Sequence, residues 1–415
     1  MRLKLNSTLL VTLLVVYFLT KMLWDKYIPN ILELLSLTTI GYGFLMGLIR
    51  IRSKKILSFF ATFGAISLYV LINGFFKDNA DQFNRAIYEY IFYLMIAFSL
   101  MYFLKKSDVK SIVEHLAPVA FVVIILSWYE CLTRTYIIAN IGASYTLTTL
   151  GYGFRATVFS RSYLCHGIVI GFFSIMFMYQ YIESTNKKYL LFSLISYFSI
   201  LTTSSRGPFV SCTVGLSVMF MLNYLIKNKS INKKMTFFLI AIILITIVYL
   251  FLQSGINTGN GAIDYFLKRV RSITNWTSEG GNLGRIKLWN RTVEWFKESP
   301  VFGIGPSKTG SWGEASRGVT ESGLLKRLCE LGIVGFIIYY SLIVRILLIG
   351  KRIYGKLKID EKRQFIMYIG IILLVLVNDL TLQSTEEIQV FFILSIGLGG
   401  VMSFLWPNRA RIYHV

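Results

Sequence analysis

The stretch Ser205-Arg206-Gly207-Pro208 separates two apolar runs, 189–205 and 207–226. Each run has about the length that an α-helix needs to cross ~30 Å of hydrocarbon. So short a break predicts a tight hairpin between two membrane-spanning helices, with Pro208 in the first turn of the second helix. Free N–H groups at that helix start, beside the Arg206 guanidinium, would suit a phosphate group. The alternative is an interfacial arginine that reaches lipid headgroups.

Apolar runs of this kind recur along all 415 residues. Hydrophobic residues make up 55% of the chain and charged residues only 15%, fewer charges than a soluble protein carries. We therefore predict an all-α, polytopic membrane protein, a single domain over residues 1–415 with about twelve transmembrane helices. The predicted spans are 7–23, 31–49, 56–76, 87–104, 112–130, 162–182, 189–205, 207–226, 235–253, 323–349, 365–382 and 388–406.

The net charge of +22 is distributed unevenly between the loops. Lys and Arg concentrate in alternate loops, among them 50–55, 227–234 and 351–363. This is the positive-inside pattern, and it predicts that both termini lie in the cytoplasm. The basicity is then explained by topology and by contact with anionic lipid, and nucleic acid is not an expected partner.

One long polar loop, residues 254–322, faces outward in this topology and carries nine Lys and Arg residues. Two amphipathic helices are predicted in it, 262–276 and 284–298, the second with Ile286, Trp289, Val293 and Phe296 on one face and ended by Pro300. Such helices lie flat on a membrane or cover a cavity, and the alternative is simple packing against the ends of the spans. Long loops often carry function, so chemistry is expected here.

Four arginines are predicted on the outer side in short segments, where the positive-inside rule disfavours them. They are Arg134, Arg155, Arg161 and Arg206. Arg155 has little acid nearby in the sequence to pair with, so an external anion is a candidate partner. His166, one turn inside the next span, is better explained as a satisfied polar contact within the bundle.

Two further residues of the long loop could carry chemistry. Arg285 is predicted at the start of the second loop helix, where a cation opposes the helix dipole and an external anion would relieve the mismatch. Glu321 precedes the tenth span and could act as a general base or hold a sugar hydroxyl. The alternative is a surface glutamate that is favourable near a helix start. The run Gly303-Ile304-Gly305-Pro306 predicts a tight turn that returns the chain to the membrane.

The four cysteines are scattered without a Cys-x-x-Cys pair, so neither a disulfide framework nor a zinc site is expected. Cys212 and Cys329 are expected to be small packing residues. The outer loops show no paired-aspartate metal signature. We expect no metal and no cofactor.

In this order, the motifs resemble those of the bacterial O-antigen polymerase and O-antigen ligase superfamily, which includes polymerases of capsule and exopolysaccharide repeat units. The resemblance covers about residues 150–340. The matching motifs are Arg155, Ser205-Arg206-Gly207, Arg285-Ile286-Lys287-Leu288-Trp289, Pro300-Val301-Phe302-Gly303-Ile304-Gly305-Pro306, Glu321-Ser322-Gly323-Leu324-Leu325 and Glu330-Leu331-Gly332-Ile333-Val334-Gly335.

The resemblance implies a metal-independent membrane glycosyltransferase on the outer face of the bacterial plasma membrane. It would join polyprenyl-diphosphate-linked oligosaccharide repeats with inversion at the anomeric carbon. Arg155, Arg161, Arg206 and Arg285 would hold the diphosphate, and Glu321, Arg206 and Arg285 would be the catalytic residues. Where ligases of the family carry His, this chain has Glu321, which favours a polymerase and leaves the identity of the base open.

Two other functions remain open at this stage. One is an O-antigen-type ligase that transfers glycan to a lipid or protein acceptor. The other is a flippase or transporter of lipid-linked oligosaccharide, which predicts charges deep in the spans and two related halves, neither of which is found. Besides the lipid-linked substrate and the bilayer, a flippase and a chain-length regulator are candidate partners.

Overall fold

The computed structural model describes residues 7–27, 29–49, 54–138, 154–227, 280–310 and 316–405. The predicted span 235–253 and the predicted loop helix 262–276 lie outside the described residues. In these ranges the chain forms α-helices joined by short turns and two 3-10 segments, Ile200–Thr203 and Ser384–Glu386.

The helices of the described ranges are numbered here in chain order. They are α1 (Ser7–Leu19), α2 (Lys21–Tyr27), α3 (Pro29–Ile49), α4 (Lys54–Lys77), α5 (Ala80–Leu104, with π-helical turns over Ile87–Phe92), α6 (Val109–Thr133), α7 (Tyr163–Ser184), α8 (Lys187–Ser199), α9 (Arg206–Lys227), α10 (Gly280–Glu298), α11 (Gly323–Tyr354), α12 (Ile359–Thr381) and α13 (Ile388–Ser403).

Eight of these helices are long and apolar enough to cross a membrane: α3 to α7, α9, α11 and α12. Two shorter apolar helices, α1 and α13, accompany them. The predicted all-α, polytopic membrane class is confirmed. The predicted span 189–205 is not one α-helix, because α8 ends at Ser199 and continues as the 3-10 turn Ile200–Thr203.

The interior of the bundle is built around α7, of whose apolar window 94% is buried. Around it, α9 packs against α12, and α13 packs against both α5 and α12. Small residues permit this close approach: a Cβ on Gly400 of α13 would overlap the Tyr368 ring of α12. Phe75 and Phe76 of α4 remain 74% and 78% exposed, as expected for side chains that face lipid.

Helix α11 is broken at Gly332, whose backbone has φ +63°. The loop after α10 fills the break: the N–H of Ile304 donates to the carbonyl of Cys329 at 3.0 Å, and the N–H of Ile333 donates to the carbonyl of Pro300 at 2.9 Å. These bonds satisfy backbone groups that the break would otherwise leave unpaired. A Cβ on Gly303 would overlap the backbone of α11 at Glu330, and a Cβ on Gly332 would overlap the loop backbone at Val301, so glycine is required at both positions.

The Gly303-Ile304-Gly305-Pro306 run is therefore more than the predicted return turn, because it docks onto a broken transmembrane helix. Two side chains of α4 hold it there. Tyr69 Oη donates to the carbonyl of Phe302 at 3.0 Å, and Asn73 Nδ2 donates to the same carbonyl at 2.6 Å.

One end of the bundle gathers most of the buried charge, and we call it the polar end. Here α4, α6, α8 and α12 end, and α5, α7, α9, α11 and α13 begin. Backbone contacts join these ends: the N–H of Gly323 donates to the carbonyl of Leu382, and the N–H of Ala156 donates to the carbonyl of Thr202. In the predicted topology the polar end is the outer end.

Candidate functional site

Arg285 and Glu321 form a direct pair at the polar end. Arg285 Nε lies 3.5 Å from Glu321 Oε2, with side chains 25% and 30% exposed. Both groups are thus partly hydrated, and the contact is longer than a tight ion pair. Such a pair contributes little to stability and can exchange its partners for a ligand.

The backbone around Glu321 is fixed from three sides. Trp289 Nε1 of α10 donates to the carbonyl of Glu321 at 3.1 Å. Before it, the N–H and the hydroxyl of Thr320 both donate to Gln383 Oε1. After it, the Ser322 hydroxyl accepts from the N–H of Leu325 and caps α11. Glu321 itself has φ +54°, a conformation that costs a non-glycine residue roughly 1–2 kcal/mol.

Arg206 begins α9 directly after the turn at Ser204, which has φ +48°. The hairpin is therefore present as predicted, with Pro208 in the first turn of the helix. A Cβ on Gly207 would overlap Leu382 and Asn378 at the end of α12. The start of α9 and the segment that carries Glu321 thus both contact Leu382.

Arg155 is buried, and its guanidinium carbon lies 4.1 Å from the centre of the Tyr163 ring. Its Nε has no hydrogen-bond partner in the described part of the chain. The segment that carries it is held by Glu130, whose carboxylate accepts from the N–H groups of Thr157 and Val158 at 2.8 and 3.0 Å. A cation–π contact on one face leaves the edge of the guanidinium available for an acceptor.

Arg161 lies elsewhere at the polar end, with its Nε 3.8 Å from Glu387 Oε1. The pair lines a cavity of about 140 Å³ that also contains Lys21, Arg85 and Glu386. Burial raises the pKa of Glu387 to about 6, despite the opposing effect of Arg161. Burial also raises the pKa of Glu386.

The five predicted site residues are therefore distributed over one end of the bundle. Arg285 and Glu321 touch directly, and Arg206 is one contact away through Leu382. Arg161 pairs with Glu387, and the adjacent Glu386 accepts a hydrogen bond from Gln383 Nε2 at 2.6 Å. Gln383 in turn accepts from Thr320, the residue before Glu321. His166 contacts Ser127, which confirms the predicted polar contact within the bundle. Cys212 and Cys329 are fully buried and fit the predicted packing role.

Two predictions about the loop helix are wrong. Helix α10 begins at Gly280, so Arg285 lies in its second turn and does not oppose the helix dipole at the first residue. The predicted apolar face is wrong at one position: Ile286, Trp289 and Phe296 are half-buried, but Val293 is 40% exposed, whereas Trp295 is only 5% exposed. Because α10 packs against α11, its buried face differs slightly from the face that the sequence periodicity predicts.

A buried ion network joins α5 and α11, and the sequence analysis missed it. Lys326 Nζ lies 2.9 Å from Glu89 Oε2 and 3.9 Å from Glu330 Oε1. Arg85 Nε lies 2.7 Å from Glu89 Oε1. Glu330 also accepts from the N–H and the hydroxyl of Thr309, each at 2.8 Å. The network ties α5, α11 and the loop before α11 together.

A second buried pair joins α11 to α12. Arg327 Nη1 lies 2.9 Å from Asp379 Oδ2, and Arg327 Nη2 donates to the Thr385 hydroxyl at 2.6 Å. One signal could have revealed these charges. Arg85 and Glu89, like Lys326 and Glu330, are opposite charges four residues apart inside otherwise apolar helices, where unpaired charges are too costly to persist.

A larger cavity, of about 430 Å³, lies beside the loop that docks onto α11. Among the described residues, its lining includes the cations Lys77, Lys308 and Arg317, the hydroxyl groups of Ser299 and Ser316, and the carboxylate of Glu298. The sequence analysis assigned none of these residues. They come from four separate segments, and no local pattern brings them together.

Residues 190–340 match the family model described as O-Antigen ligase. The match covers less than half of the chain, and within it lie Arg206, Arg285 and Glu321. It confirms the predicted resemblance over that segment and supports a membrane enzyme of the O-antigen ligase or polymerase type. A search of curated proteins finds no match.

Proposed function

We propose that this protein polymerises polyprenyl-diphosphate-linked oligosaccharide repeat units on the outer face of the bacterial plasma membrane. The observation that carries the proposal is the partly exposed Arg285–Glu321 pair, which couples a cation for the leaving group to a carboxylate for the acceptor. The match to the O-Antigen ligase family over residues 190–340 supports the general type of enzyme.

The proposed reaction is a single inverting displacement. An acceptor hydroxyl on one lipid-linked repeat attacks the anomeric carbon of the growing chain, and a new C–O bond forms. The bond from that carbon to the diphosphate oxygen breaks, and polyprenyl diphosphate leaves with the electron pair. The hydroxyl proton passes to Glu321, acting as general base.

The ion pair suggests how the base becomes available. While Arg285 binds Glu321, the guanidinium occupies the carboxylate and keeps it from the acceptor hydroxyl. A bound diphosphate offers Arg285 a stronger, bidentate acceptor. The guanidinium then turns to the leaving group, and Glu321 is released toward the acceptor hydroxyl. Substrate binding and base activation would thus be one event.

The other predicted arginines complete the proposed diphosphate site without a metal. Arg206 adds a cation at the start of α9, where the helix N–H groups also favour an anion. Arg155 presents the edge of a guanidinium whose Nε lacks a hydrogen bond in the described part of the chain. Arg161 is linked to the Glu321 segment through Glu387, Glu386 and Gln383, so it would act at the periphery of the diphosphate site. Preorganised cations of this kind stabilise the departing charge.

The cellular arrangement is part of the proposal. Both termini would lie in the cytoplasm and residues 254–322 outside, so that the polar end opens toward the outer leaflet. The lipid tail would remain in the bilayer throughout. A flippase that supplies repeats and a chain-length regulator are the expected protein partners.

The test uses the purified full-length protein in proteoliposomes with one lipid-linked repeat unit. Longer lipid-linked glycans support the polymerase, and activity should persist in EDTA. Transfer to an added lipid or protein acceptor without chain growth would indicate the ligase instead. Unchanged substrate that crosses the bilayer would indicate a flippase and would remove the proposal.

A further inference from the structure

We propose that the cavity between α4 and the loop before α11 binds an acidic segment of the glycan, one that carries carboxylate or phosphate groups on its sugars. The assignment rests on the proposed polymerase function and names the substrate class. We call this cavity the basic cavity, and it is lined by Lys77, Glu298, Ser299, Gly303, Ile304, Lys308, Ser316 and Arg317.

The size of the basic cavity suits part of an oligosaccharide. Its volume of about 430 Å³ falls within the range of small-ligand sites, roughly 300–1,000 Å³. Hydroxyl groups of Ser299 and Ser316 offer polar contacts of the kind that sugars require.

The cavity carries uncompensated positive charge. Arg317 is neutralised, because its guanidinium makes two bonds to the Glu298 carboxylate, at 3.1 and 2.7 Å. Among the described residues, Lys77 Nζ donates to neutral acceptors, the hydroxyl of Ser299 at 3.3 Å and the carbonyl of Gly303. Lys308 has no hydrogen bond or ion pair through its side chain in the described part of the chain. Two lysine charges thus remain for a ligand.

Among the described residues, one further acid, Asp78, interacts with these two lysines, and it does not cancel their charge. Asp78 lies behind Gly305, where a Cβ on the glycine would be 2.6 Å from Asp78 Oδ1. Neither carboxyl oxygen of Asp78 has a hydrogen-bond partner in the described residues. Burial, and then the carboxylate of Glu330, raise the pKa of Asp78 to about 8 against the opposing effect of Lys308 and Lys77. The raised pKa disfavours the charged form of Asp78, so this carboxyl offsets the two lysine charges less than an ordinary aspartate would.

The position of the cavity relative to Glu321 fits a glycan that extends from the reaction centre. Arg317 lines the cavity, and Glu321 follows four residues later. The two Cα atoms are at most about 14 Å apart, roughly the length of a short oligosaccharide. A sugar chain whose end lies at Glu321 could therefore place an acidic group beside Lys308.

The experiment measures binding without turnover, so that it does not depend on polymer formation. Full-length protein in phosphatidylcholine nanodiscs is titrated with tri-galacturonic acid and, in parallel, with its methyl-esterified, uncharged form. Saturation-transfer NMR or calorimetry gives the affinities. We expect the acid to bind at least tenfold more tightly than the ester, and rising salt to weaken it.

Lys308→Glu tests the assignment of the site. We expect this substitution to weaken binding of the acidic probe by tenfold or more and to leave the affinity for the ester unchanged. Lys308→Gln should have an intermediate effect on binding of the acid. The matched control is Lys297→Glu, an exposed lysine that pairs with Glu294 outside the cavity, and it should bind as the wild type does. Equal melting temperatures would show that all variants are folded.

Several results would overturn the assignment. They are absence of probe binding to the wild type, equal affinity for acid and ester, and undiminished binding by Lys308→Glu. Binding of short-chain phosphatidylglycerol that displaces the probe from the wild type, and that is itself lost in Lys308→Glu, would assign the cavity to a lipid headgroup instead. If the acid binds as expected but no polymer forms in the turnover assay, the glycan site stands and the polymerase proposal fails.

Discussion

Glu321 and Glu330 lie at the polar end in one short segment, yet their surroundings differ. Glu321 is 30% exposed, and its one ion-pair contact with Arg285 is 3.5 Å long. Glu330 is fully buried, and it is held by Lys326, Thr309 and Tyr90. The first carboxylate can exchange its partner for a ligand, and the second cannot.

The difference follows from the cost of desolvation. A buried charge is stabilised only by its own partners, so every member of the network around Lys326 depends on the others. A partly hydrated charge is solvated by water when its partner leaves. The buried charges therefore hold the helices in register, and the accessible pair remains available for chemistry. The predictions below test this division.

The largest effect is expected for Lys326→Met. The substitution leaves Glu330 buried without a cation and removes one of the two cations of Glu89. We expect a loss of about 3–5 kcal/mol in the free energy of unfolding, the cost of an uncompensated buried charge. Denaturant unfolding in detergent micelles measures it.

A double variant is the control for Lys326→Met. Adding Glu330→Gln removes the stranded charge and should recover part of the loss. Arg285→Met serves as the accessible counterpart and should cost less than about 1 kcal/mol. Similar losses for Lys326→Met and Arg285→Met would contradict the division between the two regions.

The next effect concerns turnover, with stability nearly unchanged. Arg285→Ala and Glu321→Ala should each lower polymer formation by about 100-fold or more, since in the proposed mechanism each removes a group that acts in the transition state. Melting temperatures should remain close to that of the wild type. Polymer length and yield from a lipid-linked repeat are the readout, and Lys287→Ala on the same helix is the control. Full activity of both variants would remove the proposed mechanism.

The helices were predictable because lipid imposes one simple rule, a run of apolar residues of sufficient length. The hairpin at Arg206 followed from the same rule, because four residues leave no room for anything longer. The break at Gly332 was not predictable in this way. It exists because the loop at Gly303 supplies the missing backbone bonds, and that contact joins distant parts of the sequence.

The site was predictable only in part. Glu321 and Arg285 came from motif order, and the structure pairs them, although no spacing in the sequence implies a contact between them. The basic cavity was missed because Lys77 and Lys308 belong to elements that only the fold brings together. The network around Lys326 was missed because the sequence analysis found no charges deep in the spans, whereas the fold buries Glu89, Lys326 and Glu330 within α5 and α11. Their i, i+4 spacing was the available signal.

Asp78 should make stability depend on pH. The folded protein keeps the proton of this carboxyl up to a pKa of about 8, whereas the unfolded chain releases it near its ordinary value of 3.8. The folded state thus binds more protons, and the contribution of Asp78 to the free energy of unfolding falls as pH rises from about 4 to about 8.

Asp78→Asn should flatten this part of the profile. Melting temperatures of the wild type and the variant, measured between pH 5 and pH 9, give the comparison. The difference in favour of the variant should grow up to about pH 8 and then level off. Parallel profiles would show that Asp78 is not protonated in the folded protein at neutral pH.

The smallest expected effect distinguishes the backbone strain at Glu321 from the role of its carboxylate in polymer formation. Glycine adopts φ +54° without the strain that a side chain brings, whereas alanine keeps that strain. Both Glu321→Gly and Glu321→Ala lose the contact with Arg285, so its contribution to stability is absent from the difference between the two variants. Glu321→Gly should therefore be more stable than Glu321→Ala by up to about 1 kcal/mol, yet equally inactive in polymer formation. An active glycine variant would mean that the carboxylate is not the base. A glycine variant less stable than the alanine variant would mean that the bonds from Trp289 and Ser322, rather than strain, dominate at this turn.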